Sequence, residues 1–312
     1  MLTVNMHAWR IHQYGGISAL NWEVMPVPHP AAGEVLVKIR AASVNPVDWK
    51  VREGYLRHVL PIEFPRVLGR DGAGEVVAVG PDVTAVAVGD HVLGLAVPGK
   101  DGTHAEFVVL SAANVGRIPA GVSEDAAVCL GIAGLSAYIP LVESAQLKAG
   151  ERVLIHAGAG GVGGLAVQIA KLLGAHVVAT CGTSNIDYVH GLGAEQVIDY
   201  TAGDFVAAAG LCDVVFDTMG GDVHDRSFAA LKPGGRMVYL SAAPIKPPSR
   251  SDVKLEQPRI LASPARLGAL LQWAAERKIK PQVGRTFKLN EAIAAYELSQ
   301  TGHARGKIVL LA

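Results

Sequence analysis

Residues 156–164 read HAGAGGVGG. An apolar run, RVLIHA (152–157), precedes them, and LAVQIAKLLG (165–174), apolar at helical spacing, follows. A flexible linker and a phosphate cradle both use glycine, but only the cradle needs it at fixed spacing between a strand and a helix. Gly158-x-Gly160-x-x-Gly163 has that spacing. The first glycine permits a tight turn, the second lets the backbone approach a pyrophosphate, and the third lets helix and strand pack closely. The helix then offers free N–H groups and a partial positive charge to the phosphates. The stretch predicts a dinucleotide site built on Gly158, Ala159, Gly160, Gly161, Val162 and Gly163, with FAD and S-adenosylmethionine as the alternative ligands of such a turn.

Outward from this turn, strand-like and helix-like runs alternate. RVLIHA leads into a helix over 163–173, HVVAT (176–180) into NIDYVHGLG (185–193), and QVID (196–199) is followed by DVVFD (213–217). A helix over 222–231 then leads through Pro233-Gly234-Gly235 to RMVYLSA (236–242). This rhythm, with strands apolar throughout, predicts an α/β fold: a Rossmann doubly wound parallel sheet with helices on both faces, over 125–262. APIKPPSRSD (243–252) reads as a polar loop.

The chain before residue 124 has another texture. EVLVKIRAASV (34–44), GEVVAVG (74–80), DHVLGL (90–95) and HAEFVVL (104–110) are β-rich runs punctuated by Gly, Pro and Asp, as in a partly open β-barrel. Ser123, before Glu124 and Asp125, reads as a helix N-cap. After 262 come a helix (264–277), a strand near 282–288, a helix opened by Asn290 and a last strand, GKIVLL. Residues 1–124 and 263–312 are expected to form one domain.

Composition narrows the function. Twenty-eight basic and 28 acidic side chains balance to zero, so no basic field draws nucleic acid or an anionic membrane. No apolar run spans a bilayer, and no secretion signal opens the chain. Three scattered cysteines, Cys129, Cys181 and Cys212, suggest reduced thiols and a cytoplasmic setting. Cys129 reads as small buried packing.

A site for NAD usually places an acid at the end of the second strand, on the ribose 2′-hydroxyl. Here HVVATCGTSN (176–185) has no acid before Asp187. Thr183, Ser184 and Asn185 offer hydrogen bonds to a 2′-phosphate instead, which favours NADPH, although no Arg or Lys sits beside them. Ser184 also serves as a cap for the next helix. Thr218, Met219 and Gly220, and then Leu240, Ser241 and Ala242, follow later strands at the end where ligands bind in such sheets.

The ordered set SVNPVDWKVREG (43–54), VLGRDGAGEVVAVG (67–80), VGDHVLG (88–94), GLSAY (134–138), HAGAGGVGG, LGAEQVIDY (192–200), FDTMGG (216–221) and GHARGKIVL (302–310) resembles the zinc-independent medium-chain dehydrogenase/reductases, in their quinone oxidoreductase group. NPVDxK with GHAxGK looks most like the plastid-type quinone and alkenal reductases. The resemblance implies a GroES-like catalytic domain beside the Rossmann domain, an active site in the cleft between them, and a homodimer. Zinc relatives would place ligands where this chain has Asn45, Arg70 and about Ala133, which is no zinc set, so no metal is expected. Arg70 also departs from the apolar or aromatic residue expected before Asp71.

Without a metal, hydride transfer suits acceptors that delocalise charge, namely quinones and α,β-unsaturated carbonyls. An enoyl-thioester reductase and a non-catalytic NADPH-binding protein are the alternatives. The resemblance implies Asn45 and Lys50 as the catalytic residues, Asn45 beside nicotinamide and acceptor, where its amide donates to the developing oxyanion or orients the ring, and Lys50 in the cofactor region, on the nicotinamide ribose or the substrate oxygen; it sets Tyr200 near the 2′-phosphate. Each has a plainer role as well: a turn residue before Pro46, a solvated helix charge, and a strand-end aromatic. Arg305 and Lys307 touch cofactor or substrate, or lie in a solvated turn. Asp48 reads as a helix cap, Tyr55 as a weak proton-donor candidate, and His104 as facing solvent or a strand neighbour.

Overall fold

The computed structural model describes residues 4–240 and 250–312. The chain divides into two units: 1–132 with 262–275 and 281–312, and 133–261 with 276–280.

In the first unit, β1 (Asn5–Ile11) pairs with β2 (Asn21–Pro26) and β4 (Arg66–Val67). A larger sheet has the order β15-β16-β3-β5-β6-β8, from β3 (Glu34–Val44), β5 (Asp71–Val79), β6 (His91–Leu95), β8 (Val115–Arg117), β15 (Val283–Lys288) and β16 (Lys307–Leu311). β7 (Phe107–Ser111) also pairs with β3. Val35, Val37 and Ile39 alternate into a core shared with Val92, Leu110 and Tyr296, the period-two burial of a strand. Three neighbouring strands meet in register at one end, with Val309 opposite Ser43 and Ser43 opposite Asp71. Helix α1 (Pro46–Arg52) leaves β3 at that end, and α2 (Glu124–Val128) packs on β3 and β5. Ser123 is the α2 N-cap by position, without a side-chain cap bond. α8 (Pro264–Ala275) and α9 (Ala292–Gln300) complete the unit, and the helical turn before α9 is capped from Lys288 and Glu291, not opened by Asn290.

In the second unit, six parallel strands stand in the order β11-β10-β9-β12-β13-β14. They are β9 (Arg152–Ile155), β10 (His176–Cys181), β11 (Gln196–Asp199), β12 (Cys212–Asp217), β13 (Leu231–Tyr239) and β14 (Lys254–Glu256). α3 (Ile132–Tyr138, which begins at the boundary) precedes β9, and between the strands run α4 (Gly161–Leu172), α5 (Ile186–Gly191), α6 (Phe205–Ala209) and α7 (Gly221–Ser227). The order reverses between β9 and β12, the switch point where doubly wound sheets bind ligands. Pro233-Gly234-Gly235 does not lie ahead of a strand but inside β13. There the pairing with β12 jumps from Cys212–Leu231 to Val214–Arg236, and Gly234 takes a φ of 73°. β13 ends at Tyr239, and the expected positions Ser241 and Ala242 fall outside the described residues. Among the described residues, no helix is long and apolar enough to cross a membrane.

The glycine turn works differently from its textual pattern. Gly158, Gly160 and Gly163 all keep negative φ, and the left-handed residue is Ala157, at 53°. What the glycines supply is space. A Cβ on Gly158 would lie 3.0 Å from the Ala179 Cβ, and one on Gly163 would run into the Ala157 carbonyl. One on Gly160 would meet only that carbonyl, at 3.4 Å. Gly163→Ala is therefore expected to destabilise the protein by about 1–3 kcal/mol, and Gly160→Ala by no more than about 0.5 kcal/mol. Thermal denaturation of both variants tests this, and equal melting temperatures would contradict it.

Candidate functional site

In the second unit the expected cofactor residues gather at the carboxyl ends of the strands. Gly158 to Gly163 follow β9, Thr183 to Asn185 follow β10, Tyr200 follows β11, Thr218 to Gly220 follow β12, and Leu240 follows β13. Gly160 is the N-cap of α4, whose first N–H groups have no partner within the helix.

A hydrogen-bonded network beneath the turn fixes it. The Thr180 hydroxyl accepts from the Ala157 N–H (3.2 Å) and donates to His156 Nδ1 (3.2 Å). His156 Nε2–H donates to the Ser227 hydroxyl (2.9 Å), which donates to the Val223 carbonyl (2.6 Å). Burial lowers the His156 pKa to about 4, so the ring is neutral and this tautomer follows from its partners. Beside it, buried Asp217 accepts from the backbone N–H of Met219 (2.8 Å) and Gly220 (3.0 Å) and from His224 Nδ1–H (2.8 Å). The Thr218 hydroxyl donates to the His156 carbonyl (3.0 Å). The 218–220 turn is thereby tied to the glycine turn.

At the end of β10 the donors are arranged unlike the expectation. The Thr183 hydroxyl donates to Asp199 at 2.5 Å, and the Thr201 hydroxyl donates to the same carboxylate at 2.7 Å. These hydroxyls hold the Asp199 pKa below the usual carboxylate range. The Thr183 hydroxyl therefore has a partner other than a phosphate. Tyr200 is about half exposed, with its ring edge over Gly182.

The first unit holds a buried polar cluster where β3, β5 and β16 meet. Asp71 has no exposure, yet Oδ1 accepts from the Ser43 hydroxyl (2.6 Å) and Asn45 Nδ2 (2.9 Å), and Oδ2 from the Ile132 N–H (2.7 Å). Gly131 permits that approach, since a Cβ there would strike the carboxylate. Asn45 Nδ2 also reaches the Ser43 carbonyl at 3.2 Å. Asn45 Oδ1 accepts from Lys307 Nζ at 2.5 Å. Lys307 is only 5% exposed, so a solvated turn is not its setting. Arg305, two residues earlier, is not among the partners of this cluster.

Asp48 is buried at the start of α1, where Oδ2 accepts from the Asn45 N–H (2.7 Å). It is a cap, as expected, and burial raises its pKa to about 7. The Asp71 carboxylate adds to the rise, while the Asn45 N–H, Lys307 and Arg70 oppose it. His104 departs from expectation: it is fully buried. Its Nε2–H donates to the Ser43 carbonyl (3.1 Å), and its Nδ1 accepts from the Tyr296 hydroxyl (3.0 Å). Burial lowers its pKa to about 4. Lys50 stands apart from the cluster, its ammonium 5.5 Å from the Trp49 ring centre. Tyr55 is exposed. Cys129 is buried, its thiol pushed up to about 12 by burial.

Asp48 gives the fold a pH dependence. It keeps its proton up to about pH 7 when folded, but loses it near pH 4 when unfolded. The folded chain binds the extra proton in that window, so stability from this group falls as pH rises from about 4 to 7 and is level above. Asp48→Asn keeps an acceptor for the Asn45 N–H and removes the charge. It is expected to melt higher than wild type at pH 8, with the two converging toward pH 4. A wild type at least as stable as the variant at pH 8 would contradict this.

Comparison with known proteins fits this geometry. Residues 31–120 match the alcohol dehydrogenase GroES-like domain, and residues 192–310 match a zinc-binding dehydrogenase family. The chain is 34% identical to a chloroplast envelope quinone oxidoreductase homolog of Arabidopsis thaliana, covering 98% of both chains. The solved quinone oxidoreductase of Coxiella burnetii superposes with a TM-score of 0.90 at 34% identity, covering 99% of this chain and 100% of that one. A mycobacterial protein solved in complex with NADPH superposes with a TM-score of 0.88 at 29% identity, covering 98% and 100%. The parallel-sheet unit is Rossmann-type and the other is GroES-like. The chain belongs to the medium-chain dehydrogenase/reductase family of oxidoreductases, among its quinone oxidoreductases.

Proposed function

We propose that this protein reduces quinones or α,β-unsaturated carbonyls with NADPH and without zinc, and that Lys307 is its electrophile. The observation that carries the reading is the Lys307 ammonium held at 2.5 Å by Asn45 Oδ1 inside a buried cluster. Of the two roles that the resemblance implies for Asn45, donor to the developing oxyanion or support for the ring, the first is opposed by its amide hydrogens, which go to Asp71 and Ser43. An ammonium has three donors, and Asn45 takes one. Lys307 is left with donors for an oxygen that gains charge, and Asn45 becomes its positioning residue. When bound, reduced nicotinamide supplies a hydride, and in a conjugated acceptor the charge spreads to a distant oxygen. A fixed cation in a site poor in water stabilises that charge well.

Zinc does not fit this donor set. Asn45 and Arg70 occupy ligand positions, and the ammonium of Lys307 already stands at Asn45 where a second cation would be repelled. For the cofactor, the close approach at Gly163 and the open face at Gly160 suit a pyrophosphate on the glycine turn. The missing acid at the end of β10 supports NADPH, and the Asp199 carboxylate nearby limits the preference. Three buried, unpaired cysteines support a reducing, cytoplasmic setting, and family resemblance supports a homodimer, which sedimentation in solution checks.

Following reduced nicotinamide by absorbance with a quinone, a short enone and a crotonyl thioester is expected to show turnover on the first two. NADPH oxidised with none of the three would overturn the enzyme reading. Lys307→Met is expected to lower kcat by roughly a hundredfold with the NADPH dissociation constant little changed. Asn45→Ala should lower kcat less, and a loss confined to NADPH affinity would make both residues binding groups alone. Asp199→Asn is expected to raise the kcat/KM ratio of NADPH over NADH, and an unchanged ratio would remove Asp199 from cofactor choice.

A further inference from the structure

Arg70 replaces the apolar or aromatic residue that the family resemblance leads one to expect before Asp71, and neither the fold nor the proposed chemistry requires a cation there. In the first unit a cavity of about 40 Å³ is lined by Asp48, Leu60, Arg66, Arg70, Val97 and Lys100, among others. That is room for about three water-sized groups. Two guanidinium Nε atoms of its lining residues, those of Arg66 and Arg70, are buried without a hydrogen-bond partner. Arg66 has one long ion pair, from Nη1 to Asp101 at 3.4 Å. Arg70 has no ion pair among the described residues. A buried donor left unmade is unfavourable by about 1–3 kcal/mol, and both belong to side chains that line this cavity, which points to an acceptor bound between them.

We propose that this cavity binds the carboxylate of the electron acceptor, so that the preferred substrate is an α,β-unsaturated ketone carrying an acid group. The inference rests on the enone-reductase reading above and names its substrate class. A guanidinium presents its donors as a planar fork that matches a carboxylate, and such charge-assisted bonds are about twice as strong as neutral ones. The volume accepts a carboxylate and excludes a nucleotide-sized phosphate group. With Lys100 at the rim and Asp101 engaged by Arg66, cations outnumber acids around it. The cavity also adjoins the reacting cluster: Asp48 forms part of its wall and accepts the Asn45 N–H, while Asn45 holds Lys307.

Acetylacrylate and its methyl ester differ by that charge and one methyl group, and levulinate is the saturated product of the acid, formed when hydride adds to the carbon β to the ketone and a solvent proton to the α carbon. The wild type is expected to favour acetylacrylate over the ester by roughly tenfold or more in kcat/KM, mostly through KM. Arg70→Met should bring the ratio close to one, and Arg70→Lys, which keeps the charge but not the fork, should give an intermediate ratio. Calorimetry of levulinate on the protein with NADP⁺ bound should show binding to wild type that Arg70→Met loses. Equal use of acid and ester, or a preference unchanged in Arg70→Met, would overturn the inference while leaving the reductase reading intact. Arg70-dependent levulinate binding without turnover of either enone would do the reverse, supporting the anion site and sinking the reductase reading.

Discussion

The first unit is organised around a charge with no access to water. Desolvating a carboxylate costs several kcal/mol even after the protein relaxes, so Asp71 is stable only with its oxygens saturated by donors. Those donors come from separate parts of the chain: the Ser43 hydroxyl from β3, the Asn45 amide just after it, and the Ile132 N–H from beyond α2. Because Asn45 turns its NH₂ toward Asp71, its carbonyl oxygen faces the other way, and Lys307 at the start of β16 meets it there. The amide thus relays orientation from a buried anion to a buried cation. The register of three neighbouring strands, set by apolar alternation along β3, is what brings the components to one end of the sheet.

The second unit holds its turns by another means. Its network of Thr180, His156 and Ser227 is neutral, and its buried carboxylate, Asp217, is saturated by two backbone N–H groups and a histidine. The strand ends are thereby preorganised by hydrogen bonds made within the unit itself. Ala157 is, like Gln146 and Arg277, a non-glycine residue in the left-handed region, and the network beneath it provides the surroundings that such a conformation needs.

Local signals made much of this legible. The glycine spacing, the apolar strands and the βα alternation depend on neighbours within about twenty residues, and the parallel sheet follows from them. The chain also fixed Asp48 as a cap, because capping is a matter of three residues. His104 and Lys307 were legible only as polar residues near turns. Their burial depends on Tyr296, 192 positions from His104, and on Asn45, 262 positions from Lys307, and periodicity carries no information at that range. The same limit explains Thr183, whose partner Asp199 lies on the next strand. The Pro-Gly-Gly of β13 misled for a different reason: these residues mark turns and bulges alike, and only the pairing register distinguishes them.

The account centres on Lys307 as the group that receives the charge developing on the acceptor, with Asn45 and Asp71 as its support. A structure of the protein with NADP⁺ and a saturated ketone product tests this most directly. The account predicts the ketone oxygen within hydrogen-bond distance of Lys307 Nζ, about 3 Å, with Nζ still bonded to Asn45 Oδ1. A ketone oxygen held instead by the Asn45 amide hydrogens or by Lys50, with Lys307 unengaged, would contradict it.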